Sequence, residues 1–141
     1  MIRINAIAIL RKKRTAYLTL PIKGTFYYHA KPDALKNKLI LKQPLFLVEE
    51  NQNEYDFNAI QVWGYIGDRS ILLGYVPRQR TALIHFLKSS NITIYSELNQ
   101  ISSKHDLLKL RVLLIYNLSI NQQIYFYWWY ILRKLNWKIP K

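Results

Sequence analysis

The chain of 141 residues contains no cysteine. Disulfides and thiolate zinc sites are therefore excluded, and a reducing compartment is permitted. Acids are scarce: eight Asp and Glu stand against 21 Lys and Arg, for a net charge of +13. There are four glycines, with no Gly/Ser linker and no G-x-x-x-x-G-K-S/T phosphate loop. No apolar run reaches the roughly 18 residues of a membrane span. The early run INAIAIL precedes its cationic cluster, Arg11–Arg14, which is the reverse of a secretory signal. The expectation is a cytoplasmic protein. His29, His85 and His105 are scattered without metal-ligand spacing, and paired acids at catalytic spacing are missing. A metal, a cofactor and catalysis are all unexpected.

What is present is basic charge, unevenly placed. Residues 1–24 carry six Lys/Arg and no acid, and residues 118–141 carry four and no acid. The stretch between them is close to balanced. A basic excess favours polyanions, nucleic acid before an acidic membrane surface. The length fits one domain with a self-sufficient core.

Most of the middle reads as strands. Ile22–Tyr28 is β-branched and aromatic, and PDAL (Pro32–Leu35) suggests one helical turn. Leu39–Val48 is a strand candidate broken by Pro44. Asn58–Tyr65 and Ser70–Val76 form a hairpin around Gly67-Asp68. Pro77 ends the ladder and can start a helix over Gln79–Ser89, with Leu83, Phe86 and Leu87 on one face. Ile92–Ile101 and Leu107–Leu118 alternate as strands. Residues 2–20 fit a strand pair or an amphipathic helix. Ile124–Leu132 (IYFYWWYIL) carries a helical stripe of Ile124, Trp128, Ile131, Leu132 and Leu135, while its Tyr/Trp content favours a strand almost equally; its length and the polar NQQ before it lean the reading to a helix, folded onto the domain or a partner.

One residue sits oddly in this pattern. Asp56 places an acid beside Tyr55 in the most ordered stretch of a strongly basic chain. A carboxylate next to an internal phosphodiester costs energy, about 1 kcal/mol at 4 Å in water and more in a drier pocket. It is favourable only where it can accept a hydrogen bond. A turn supplies backbone N–H groups for that.

The order of motifs carries a resemblance. An aromatic pair (Tyr27-Tyr28, after Phe26) is followed by L-x-L-V-E at 45–49, N-x-Y-D-x-N-A-I-x-V at 53–62, and L-G-Y-V-P-R at 73–78, then a helix. Over residues 22–117 this resembles the HIRAN domain, a module of some chromatin-remodelling-type helicases that also occurs as a free-standing bacterial protein. The resemblance implies a mainly β fold: a small, partly open, six-stranded OB-like barrel with one helix after the fourth strand. Residues 1–21 would then be a basic extension, and 118–141 an aromatic and basic one. In a helicase member the domain receives the free 3′ end of single-stranded DNA, with aromatics on the bases, basic groups on phosphates and an Asp on the 3′-hydroxyl. Carried over, the site is Tyr27, Tyr28, Asn53, Tyr55, Asp56 and Arg78. One departure is Phe26, where that member has an Arg, which removes a phosphate or base contact. A later aromatic contact has only His105 as a counterpart.

The resemblance thus implies a binding module for single-stranded nucleic acid in DNA repair, acting alone or with a helicase or nuclease partner. Two other readings use the segment IYFYWWYIL. It docks a protein or a second copy, or it lies on a membrane surface with Arg133, Lys134, Lys138 and Lys141. A membrane is the less expected partner. Convergence of Tyr27, Tyr55, Asp56 and Arg78 on one exposed patch would favour the first reading. Burial of the Trp128-Trp129 face would remove the other two.

Overall fold

A computed structural model describes residues 13–24, 32–104 and 107–135. Six strands and three α-helices occur among them: β1 (Lys13–Ile22), α1 (Pro32–Lys38), β2 (Phe46–Glu49), β3 (Ile60–Ile66), β4 (Arg69–Tyr75), α2 (Thr81–Ser89), β5 (Ile94–Lys104), β6 (Leu107–Ser119) and α3 (Ile120–Lys134). A single 3-10 turn, Arg78–Arg80, leads into α2. The strands form two sheets of three, ordered β1-β6-β5 and β2-β3-β4.

The expected barrel is present only in part. The sheets meet along two seams, neither a full ladder. At one seam Lys23 and Tyr75 exchange both backbone hydrogen bonds at 2.8 Å. At the other, Pro44 bridges Glu97, Leu45 N–H donates to Ser96 C=O at 2.8 Å, and Leu98 N–H donates to Gln43 C=O at 3.0 Å. Two three-stranded sheets joined this narrowly do not make a continuous wall.

The hairpin β3–β4 falls where its turn residues place it. Gly67 takes φ +57° in the two-residue connection. The register slips at Val62/Trp63, so Leu73 is the extra residue of a bulge and points into the core, fully buried. The strand expected over Leu39–Val48 is shorter. Lys42 turns the chain at φ +65° and Pro44 has no N–H for a ladder, so β2 begins only at Phe46. The stretch expected as strand after Ile22 leaves the described residues at Gly24.

The residues divide into two compact units, Tyr17–Ile115 and the paired ends 1–16 with 116–141. The first has a core of alternating strand residues, including Leu20, Ile60, Val62, Leu98, Leu110, Val112 and Leu114. Helix α2 adds Ile84 to it, and Leu87 is also fully buried. The expected inward face of α2 was Leu83, Phe86 and Leu87. Leu83 and Phe86 are half-buried, and the buried positions are Thr81, Ile84 and Leu87.

In the second unit Thr15 Oγ1 donates to Asn117 Oδ1 at 2.7 Å. Helix α3 starts at a capping box: Ser119 Oγ accepts from Gln122 N–H, and Gln122 Oε1 accepts from Ser119 N–H at 2.9 Å.

Candidate functional site

The loop between β2 and β3, residues 50–59, is built around one asparagine. Asn53 Oδ1 accepts the N–H groups of Tyr55 and Asp56 at 2.9 and 3.0 Å. Its Nδ2 donates to Glu50 Oε2 at 3.0 Å. The Tyr75 hydroxyl donates to the same carboxylate oxygen at 2.9 Å. Glu50 N–H donates to Ala59 C=O at 2.9 Å and closes the base of the loop. These bonds hold the Glu50 carboxyl below its ordinary value near 4.5, the Asn53 amide contributing most, with Tyr75 and Gln61 adding to it against the opposing effect of burial.

That shift has a sign that can be tested. A carboxylate whose folded pKa is lowered contributes stability above its unfolded pKa, and loses it as pH falls through the folded value. Asn53→Ala is expected to cost about 1–2 kcal/mol near neutral pH. The deficit relative to the unmodified protein should shrink as the pH is lowered below the ordinary carboxylate range. Thermal unfolding of both proteins from about pH 7 to pH 3 measures it. A deficit that stays constant with pH would show that Glu50 is not the anchor.

Asp56 uses its two oxygens differently. Oδ1 accepts Asn58 N–H at 2.9 Å, as in an Asx turn. Oδ2 lies 3.9 Å from Arg78 Nε, beyond hydrogen-bond reach. The Asp56 side chain is 21% exposed and that of Arg78 is 79% exposed. An exposed pair at this distance adds only about 0–1 kcal/mol of stability. Arg78 therefore keeps its donors for other partners, and Asp56 keeps one acceptor oxygen. Tyr55 stands 91% exposed beside it.

The loop is tied from a third side by α2. His85 Nδ1 lies 3.1 Å from Glu49 Oε1, and its Nε2 lies 3.1 Å from the Asn58 carbonyl oxygen. Both partners are acceptors, so only a doubly protonated ring donates to both at once. Lys88 Nζ is 3.6 Å from the same Glu49 oxygen. His85 reads from sequence as a surface or half-buried helix residue, and it is half-buried. Its partners are 27 and 36 positions away, so no local signal marks it as a loop clamp. Phe57, 79% exposed on the same loop, is a second aromatic that the motif pattern does not single out.

Four of the expected site residues thus lie on one framework: Asn53 as the organiser of the loop, Tyr55 exposed on it, and Asp56 facing Arg78. Tyr27 and Tyr28 lie outside the described residues, as do Phe26 and His105. Among the described residues no cluster of His, Asp and Glu could hold a metal ion.

The fold has counterparts among solved structures. The HIRAN domain of human HLTF superposes with a TM-score of 0.62 at 13% identity, covering 92% of this chain and 98% of that one. A protein from Lactobacillus plantarum superposes with a TM-score of 0.57 at 23% identity, covering 74% and 97%. Curated proteins give no significant match. HIRAN domains are nucleic-acid-binding domains. The HIRAN model matches residues 16–129, a span that takes in the anchored loop, Arg78 and α2, and on that match the chain belongs to the HIRAN family.

Proposed function

We propose that the loop 50–59 with Arg78 receives the 3′ end of a single-stranded nucleic acid. The observation that carries this is Asp56. One of its oxygens is fixed by the turn, and the other is unbonded next to an exposed cation and an exposed ring. A terminal 3′-hydroxyl would donate to Oδ2, a charge-assisted bond of the stronger kind. The preceding phosphate would meet Arg78, and the terminal base would stack on Tyr55. A continuing strand places a phosphodiester against Asp56 and is disfavoured. Tyr27 and Tyr28 are proposed as further aromatic contacts on the strength of the family pattern. Such a module binds and does not catalyse, and it suits an end-processing partner such as a helicase or nuclease.

The test is fluorescence anisotropy with short oligonucleotides at fixed salt. A 3′-phosphate is expected to bind about ten- to a hundredfold more weakly than a 3′-hydroxyl, roughly 1.4–2.8 kcal/mol. Arg78 tempers the repulsion, which keeps the effect below that of an unpaired acid. Asp56→Asn should weaken hydroxyl ends and narrow the gap to phosphate ends. Tyr55→Ala should weaken both alike, by about 1–3 kcal/mol. Equal affinity for hydroxyl-ended, phosphate-ended and circular strands would sink end recognition and leave Asp56 as a turn residue.

A further inference from the structure

The end site lies within Tyr17–Ile115, which leaves the other compact unit without a task. That unit, residues 1–16 with 116–141, holds nine Lys and Arg (five before residue 17, four after residue 115) and no Asp or Glu. Its helix α3 is not covered as an apolar helix in a core would be. At 100° per residue, Ile120, Ile124, Tyr127, Trp128, Ile131 and Leu135 fall within an arc of about 100°. Five of these six are between 40% and 63% exposed, and Ile131 is half-buried.

Other sides of the helix are more covered. Gln123 is buried and donates from Nε2 to Leu118 C=O at 3.2 Å. Phe126 and Trp129 are half-buried, with ring centroids 6.0 Å apart, and the Arg133 guanidinium lies 5.2 Å over Trp129. The capping box fixes where the helix begins.

Three kinds of occupant have to be weighed. A nucleic acid would satisfy the charge, but aliphatic Ile120, Ile124 and Leu135 neither stack on bases nor bind phosphates. A second copy would satisfy the stripe, but two units of nine cations each and no acid repel one another. An acidic lipid surface satisfies both. The isoleucines and Leu135 enter the acyl boundary, and Tyr127 and Trp128 sit at headgroup depth. Lys134, at the edge of the stripe with its amino group 5.9 Å over the Tyr130 ring, meets anionic phosphates. No helix among the described residues is long and apolar enough to cross a membrane, so the contact is a helix lying flat. Its 15 residues would cover about 22 Å of surface.

We infer that α3 is an interfacial helix that places this protein on anionic membranes, independently of the end site. This takes up the less expected of the readings drawn from sequence, in place of the one in which the same segment folds onto the domain or a partner.

The experiment is co-sedimentation of the full chain with vesicles of phosphatidylcholine alone and with about one-third phosphatidylglycerol. The chain should bind the anionic vesicles at least about tenfold more tightly. The pair Ile124→Ser with Trp128→Ser, which changes no charge, should lower that binding at least about tenfold. It should leave thermal unfolding and oligonucleotide affinity as they were. No preference for anionic vesicles overturns the inference. Vesicle binding that survives the pair of substitutions also overturns it, since charge alone would then suffice. Loss of oligonucleotide binding in that variant would make the stripe part of a nucleic-acid surface. A dimer in sedimentation equilibrium that the same substitutions dissociate would make it a subunit interface. Either result rules out the lipid.

Discussion

Gly74→Ala is expected to destabilise the protein by about 3–5 kcal/mol, far more than a surface methyl should. Gly74 sits at φ +151°, a conformation that L side chains rarely adopt. A Cβ there would overlap the Lys23 carbonyl oxygen and lie 2.8 Å from Ile22 Cγ2. The Lys23 oxygen is not free to retreat, because it accepts Tyr75 N–H at 2.8 Å. Relief requires parting the seam between β4 and the end of β1. The strain is worth about 1–3 kcal/mol and the two backbone bonds about 1 kcal/mol each. Gly67→Ala is the control. It also has positive φ, but nothing lies within 4 Å of the added carbon, so about 1–2 kcal/mol is expected. Urea unfolding of the two variants separates close approach from conformational strain. Equal losses would mean that the two backbones do not pass closely at Gly74.

The second large effect distinguishes two faces of one helix. Ile84→Ala should cost about 2–5 kcal/mol, since Ile84 is fully buried in the main core. Leu83→Ala, at a half-buried position, should cost less than about 1.5 kcal/mol. The periodicity reading predicts the opposite order. If Leu83 proves the more costly, α2 is rotated by one position from an orientation that buries Ile84.

That rotation shows where sequence reasoning stops. In TALIHFLKS the stripe 83-86-87 and the stripe 84-87 overlap, and the second is completed by Thr81, which a count of apolar residues skips. Only the strands it packs against choose between them. The hairpin, by contrast, is legible to within one or two residues, because Gly67-Asp68 and the flanking alternation are local signals. So, in principle, is the start of α3. Ser119-x-x-Gln122 is a capping-box spacing, a better signal than the aromatic stripe that suggests the helix. Over Leu39–Leu45 the apolar letters imitate a strand, while Lys42 and Pro44 bend the backbone away from one.

The site is legible in a similar, partial way. Sequence leaves Asp56 as either a turn residue or a ligand acceptor, and each of its oxygens fits one of those readings. Asn53, carried over from the family as a contact, spends its amide on the loop itself. The His85 clamp and the Tyr75–Glu50 bond join residues 25 to 36 positions apart, and no spacing rule reaches that far. The outward stripe of α3 is visible as periodicity, but periodicity does not say which way a stripe faces.

The strand order has a consequence for synthesis. Strand β1 lies next to β6, and Thr15 and Asn117 are 102 positions apart. At about 5–20 residues per second, roughly 5–20 s pass on the ribosome between making β1 and making its neighbour. Among the described residues, the backbone pairing open to this end of the chain in that interval is the exchange of Lys23, just after β1, with Tyr75. The β2–β3–β4 sheet, whose pairings are short-range, can form meanwhile. Nascent chains halted before residue 107 should therefore hold the hairpin and leave the amino-terminal strand open to chaperones or proteases.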